Sequence, residues 1–178
     1  LILVGAGTVT AERYRPVQAD EIWAGLRPAG APVPAVAVVS GRLNLDPACP
    51  LLTGAAQASQ TIVITTAAAP ADRKAAIARH ARIIETGPHG LDLAVAVSAL
   101  HGLGYASILT EGGPHLLGHL AAAGLVDELC LTTSPVLTSG SAGRIVSALP
   151  PPGGGAQLSL AHVLTDDGFL FSRYLRQP

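Results

Sequence analysis

Charge is scarce in this sequence: 13% of its 178 residues are Asp, Glu, Lys or Arg, and the formal net charge is -1. So nearly neutral a chain carries no electrostatic footprint for nucleic acid or for an anionic membrane. Aromatics are scarcer still at 3%, methionine is absent, and there are two cysteines, Cys49 and Cys130. Two cysteines make neither a disulfide framework nor a thiolate metal site, and each reads as a small buried hydrophobe rather than a nucleophile. No apolar run reaches the length of a membrane span and no basic-led apolar leader opens the chain, so the reading is a cytoplasmic protein. The six histidines lack metal spacing. His115 and His119 stand four apart, but without a His-Glu-x-x-His pattern or a third ligand they read as surface residues, and no metal is expected. A Gly-x-Ser-x-Gly elbow and a Walker-type loop are missing as well.

What is present is aliphatic. Hydrophobic residues make up 49% of the chain, mostly Ala, Val, Leu and Ile, which excludes a disordered chain and suits β-branched strands under Ala- and Leu-rich helices. The length fits one domain over residues 1–178 with a full core. The chain opens on Leu1-Ile2-Leu3-Val4, a buried-strand pattern without an initiator Met. The expectation is that an N-terminal strand of the domain precedes it and is missing here.

Strands are predicted at Leu1–Val4, Ala35–Ser40, Thr61–Thr66, Arg82–Glu85, Ser107–Thr110 and Val126–Thr133. Thr61–Thr66 is an unbroken run suited to burial on both faces. Helices are predicted at Ala71–Ala81, Asp92–Leu103 and Pro114–Ala123, the last with Pro in its first turn and Gly124 at its end. Thr8 to Ala11 is expected to cap and begin a short helical turn. From Tyr14 to Pro34 the prolines indicate a surface connection with a turn or two of helix around Gln18–Leu26, and Thr138–Gly155 reads as loop. Gln157–Thr165 and Phe169–Arg176 flank Asp166-Asp167-Gly168, a hairpin signal because Asp-Gly accepts positive φ. The fold class is therefore α/β: three layers, a mixed, mostly parallel sheet between helices, closed by an antiparallel β-hairpin.

Ligands of open α/β sheets collect where strand ends lead into helix N-termini. Thr110-Glu111-Gly112-Gly113-Pro114 has a strand end, two glycines and an immediate helix start, the makings of a phosphate site or simply of a tight turn. Glu111 is the carboxylate at that strand end, placed either to meet a substrate hydroxyl or amine or simply to favour the helix N-terminus electrostatically. Gly5-Ala6-Gly7-Thr8-Val9 superficially resembles a dinucleotide fingerprint without its third glycine, and no acid follows it at the distance a Rossmann dehydrogenase needs. Arg42 follows the Ala35–Ser40 strand and is placed either to hold an anion or to sit in solvent.

These residues resemble the RibD C-terminal family, the riboflavin-biosynthesis pyrimidine reductases, in their stand-alone actinobacterial type. The resemblance is carried by Ile2-Leu3-Val4-Gly5-Ala6-Gly7-Thr8-Val9, by the strands ending at Ser40 and Thr66, and by Glu111-Gly112-Gly113-Pro114-His115-Leu116-Leu117. Leu125-Val126-Asp127-Glu128-Leu129 with Ser134-Pro135, and the hairpin from His162-Val163-Leu164 to Arg173-Tyr174, extend it over nearly the whole chain. It implies a dihydrofolate-reductase-like fold, a homodimer, and hydride transfer from NADPH to a ribosylaminopyrimidine. It also implies that Gly5, Thr8 and Val9 line the nicotinamide half of the cofactor site. Ser40 and Arg42 would face the 2′-phosphate, Thr65 and Thr66 the adenosine, and Gly112, Gly113 and Leu116 the pyrophosphate, while Glu111 reaches the substrate. The family's Ala-Asp-Asp-Pro turn is replaced here by Ala11-Glu12-Arg13-Tyr14-Arg15, so that Glu12, Arg13 and Arg15 would either take over the substrate contacts or be solvated loop charges. Neither zinc-deaminase motif of the bifunctional members is present. The alternatives are a reductase of the same fold acting on another heterocycle, such as dihydrofolate, and an NADPH-binding module without turnover.

Overall fold

A computed structural model describes residues 1–19, 25–26, 33–147 and 157–177. The expected turns around Gln18–Leu26 lie mostly outside these residues, as does the proline- and glycine-rich run Pro150–Gly155. The elements in chain order are β1 (Ile2–Gly5), α1 (Ala6–Ala11), β2 (Val36–Val39), α2 (Pro50–Thr53), β3 (Ile62–Thr65), α3 (Ala71–Ile77) and β4 (Arg82–Glu85). They continue with α4 (Leu93–Gly102), β5 (Leu109–Gly112), α5 (Pro114–Ala122), β6 (Glu128–Thr133), β7 (Leu158–Asp166) and β8 (Phe169–Arg176).

Strand alternation builds the layers. Val4, Val36, Val38 and Val63 point to one face of the first sheet, where Val9 of α1, Leu51 and Leu52 of α2 and Ile77 of α3 close over them. Their neighbours Leu3, Ala37, Ile62 and Ile64 point to the other face, under Leu93, Ala96 and Leu100 of α4 and Leu116 and Leu120 of α5. Each such Leu, Ile or Val contributes about 1.5–3 kcal/mol by leaving water. Every residue of β3 is buried, as its unbroken apolar run requires. Helix starts follow local chemistry: Asp92 accepts the Val95 N–H at 3.0 Å and caps α4, and Pro114 opens α5, where a missing N–H costs nothing.

The five strands of this sheet are all parallel, in the order β4-β3-β2-β1-β5. Successive units step one way from β1 to β4. The chain then returns along the opposite face through α4 and lays β5 on the far side of β1. Turns after β1 and after β5 therefore diverge, and the carboxyl ends of those strands border a crevice. The antiparallel part forms a second sheet, β6-β8-β7. Its hairpin turns through Asp167 (φ 44) and Gly168 (φ 80), the left-handed pair that a two-residue hairpin needs.

Several expectations are corrected. The first helix starts at Ala6 with Gly5 as its cap, so Thr8 lies inside it and caps nothing; its hydroxyl is engaged elsewhere, as described below. Helix α3 stops at Ile77, α2 appears where no element is expected, and β5 runs to Gly112. Cys130 is exposed, not buried, because it stands on the open face of β6 with its thiol against Glu128.

Candidate functional site

The crevice at the β1/β5 switch is a cleft of about 1510 Å³. One wall is the β1–α1 turn, Gly5 to Thr8. A second is the segment after β2, Val39 to Arg42 with Asn44. The start of α4, Leu91 to Ala94, forms a third, and α5 with its entry turn, Gly113 to Leu116 and His119, forms the fourth.

Two turns are stitched together across the fold. The Gly113 N–H donates to Thr8 Oγ1 at 2.9 Å, joining residues 105 apart in sequence. A Cβ on Gly113 would lie 2.9 Å from the same oxygen, so this position demands glycine by proximity. Gly112 has φ 78, and the peptide bond from it to Gly113 is cis. A Cβ on Gly7 would meet nothing within 4 Å, which leaves that position open. Helix α5 has no side-chain cap at Gly113, so its first-turn amide N–H groups have no capping acceptor from a side chain.

The cleft is electrostatically one-sided. Its single carboxylate among the described residues, Asp92, is engaged in capping α4. Arg42 stands exposed at the tip of the Ser40–Leu43 turn, and His115 and His119 line the α5 wall. The Ser40 N–H is held by Ile64 O at 2.9 Å and the Leu43 N–H by Ser40 O at 3.2 Å. That turn is braced from beneath: Thr65 and Thr66 are buried and both donate their hydroxyls to Gly41 O, at 3.2 and 3.3 Å.

Of the residues singled out in the sequence, Gly5, Thr8, Ser40, Arg42, Gly113 and Leu116 are brought together on this cleft. Val9 is not on its surface; it is a core residue under β1 and β2. Thr65 and Thr66 reach the cleft through Gly41. Gly112 is buried behind the turn. Glu111 lies outside the cleft lining, exposed on β5, one of the two edge strands of the sheet, and accepts a hydrogen bond from the Tyr14 hydroxyl. Burial first, then the hydrogen bond and charge of Glu111, push the Tyr14 phenol up to about 12. Glu12, Arg13 and Arg15 are exposed after α1, and Arg15 borders a separate hollow of about 420 Å³ with Pro16 and Thr53. The sequence reading missed Gly7, Asn44, the Leu91–Ala94 wall and both histidines. The i,i+4 spacing of His115 and His119 was the available signal, and it reports a shared face that turns out to be a cleft wall. Among the described residues no group of three His, Cys, Asp or Glu side chains could hold a metal.

Comparison with known proteins agrees with this fold. A pyrimidine reductase-like protein from Corynebacterium diphtheriae superposes with a TM-score of 0.82 at 25% identity, covering 99% of this chain and 75% of that one. RibD of Acinetobacter baumannii superposes at 0.71 with 16% identity, covering 99% and 46%, which is a likeness of fold. A 2,5-diamino-6-ribosylamino-4(3H)-pyrimidinone 5′-phosphate reductase from Archaeoglobus fulgidus is 28% identical over 141 residues, 78% of this chain and 63% of its own. The protein of the same name from Methanothermobacter thermautotrophicus is 30% identical over 84 residues, 47% and 39% of the two chains. The chain thus spans less than two thirds of the curated relatives it matches. The RibD C-terminal domain matches residues 1–169, and with the dihydrofolate-reductase-like arrangement already described, the chain belongs to the RibD C-terminal domain family.

Proposed function

We propose that this chain is the NADPH-binding body of a reductase acting on a ribosylaminopyrimidine 5′-phosphate in riboflavin biosynthesis. The observation that carries the reading is the character of the cleft. It is larger than an ordinary small-molecule pocket, which runs to roughly 1,000 Å³, it begins at uncapped amides of α5, and its carboxylate is already spent. A long polyanionic dinucleotide fits such a site. The pyrophosphate belongs at Gly113 to Leu116, the 2′-phosphate at Ser40 and Arg42, and the nicotinamide end at Gly5 to Thr8. NADPH, when bound, supplies the hydride. The chain's own residues orient and enclose: the Thr8–Gly113 bond fixes the gap between two cleft walls, and the Thr65 and Thr66 hydroxyls hold the turn that presents Arg42. Glu111 is the substrate-facing carboxylate at the sheet edge, with Glu12, Arg13 and Arg15 beyond it. Both archaeal relatives are named for the ring that still carries its 2-amino group, so that compound and the corresponding uracil are the substrates to test.

We further assign a homodimer in the cytoplasm. No residue of β6, β7 or β8 is buried, and a three-stranded sheet with apolar residues on it needs cover.

The test is direct. NADPH and NADH are titrated against wild type and Arg42→Ala, and NADPH oxidation is followed with both ribosylaminopyrimidines and with dihydrofolate. The expected result is tight NADPH binding, a loss of about 1.5–3 kcal/mol on removing the charged donor to the phosphate, and turnover of a ribosylaminopyrimidine. An unchanged preference in Arg42→Ala removes that residue from the selector role, and turnover of dihydrofolate alone overturns the substrate.

A further inference from the structure

We propose that Tyr14 is a positioning residue for the reduction, acting through Glu111; this rests on the reductase reading above. Tyr14 is itself firmly placed. Its N–H donates to Val9 O at 3.0 Å, and its ring packs on the core cluster that contains Val4 and Val9. Arg13 before it takes φ 52, turning the chain sharply out of α1. The phenol then reaches Glu111, 97 residues further on, and donates to Oε2.

Glu111 needs such a partner. It stands exposed on the edge strand β5, one residue before buried Gly112 and two before Gly113, where the cleft lining begins. A free glutamate on a strand samples several rotamers, whereas a hydrogen bond from a partly buried ring packed against the core selects one. The donor is permanent: with its phenol pushed up to about 12, Tyr14 keeps its proton throughout the neutral range. Oε1 has no hydrogen-bond donor among the described residues. Glu111 therefore presents one oriented acceptor oxygen at the sheet edge, suited to an amine, ring N–H or hydroxyl of an aminopyrimidine nucleotide.

Tyr14→Phe keeps the ring and its packing and removes the hydroxyl alone. The expected result is unchanged NADPH affinity, with kcat/KM for the ribosylaminopyrimidine about tenfold to hundredfold lower. In a Glu111→Gln background the same change is expected to add less, because Glu111→Gln already exchanges the charged acceptor of this linkage for a weaker neutral one. The phenol is followed separately by ultraviolet difference titration, its signal isolated by comparison with Tyr14→Phe. It is expected to ionise near pH 12 in wild type and at lower pH in Glu111→Gln. A purely structural tie would lower stability and leave the kinetics of the folded enzyme at wild-type values, which overturns the proposal. So does a phenol titration unmoved by Glu111→Gln, whatever the turnover. If wild type reduces neither ribosylaminopyrimidine, the reductase reading fails and the positioning role falls with it; if wild type turns over and Tyr14→Phe matches it, Tyr14 alone is wrong.

Discussion

Thr8 shows how much a single hydroxyl can organise. Its oxygen accepts the Gly113 N–H at 2.9 Å and would lie only 2.9 Å from a Cβ on residue 113. Thr8→Val keeps the shape and removes the acceptor, leaving a half-buried amide without its partner. The expected cost is about 1–3 kcal/mol of stability, read from a urea transition, together with weaker NADPH binding. Gly113→Val is expected to abolish binding by a different route, crowding Thr8 and the space at the start of α5, while the far-UV dichroism stays that of a folded domain. Wild-type NADPH affinity in Gly113→Val would remove this turn from the cofactor site. At this scale the sequence is an uneven guide. The need for glycine near Gly112-Gly113 is readable from the strand–Gly-Gly–Pro pattern, but the reason at Gly113 is a partner 105 residues away, which local spacing does not register. The same holds for Thr65 and Thr66: two hydroxyls at a strand end look like ligand contacts, and only the fold shows both turned onto Gly41 O.

Among the elements, those whose signals are local were the legible ones. Arg82–Glu85 forms a strand with the bounds expected, Asp92 caps its helix, and Asp167-Gly168 turns the hairpin. The short α2 and the early start of α1 were not legible, because both are set by core contacts: Leu51, Leu52 and Val9 are buried under the sheet, and Thr61 ties its hydroxyl to Leu51 O at 2.8 Å. Nor could periodicity say that the parallel and antiparallel strands hydrogen-bond as two sheets, since pairing partners leave no mark on a strand's own pattern. The hairpin turn offers a test of the local kind. Gly168→Ala forces an L side chain into φ 80 and brings a Cβ to 3.3 Å from Pro135. The expected loss is about 1–2 kcal/mol, measured by thermal unfolding, and an unchanged midpoint would mean that the turn relaxes freely.

For the whole molecule, the core is unevenly distributed. Among the described residues every buried apolar one belongs to the chain before Leu125, whereas β6, β8 and β7 carry none. By register, Leu129, Leu131, Leu160, Val163, Leu170 and Tyr174 share one face of that sheet, and Leu160 is 55% exposed and Leu170 43%. If a second copy covers this face, Leu160→Glu together with Leu170→Glu is expected to convert a dimer to monomers in sedimentation while the first sheet and NADPH binding survive. A wild-type monomer at micromolar concentration would count against the assignment.

The Thr8–Gly113 link also has a meaning in time. During synthesis β1 to β4 leave the ribosome before β5, and with them the glycine turn and the Arg42 turn, two walls of a cleft that has no opposite side. The stitch cannot close until α4 has carried β5 back across the sheet, a non-local contact of the kind that forms late and slowly. The nascent chain is thus a layered but open body until the fifth strand docks beside the first, and only then does the cleft have its α5 wall.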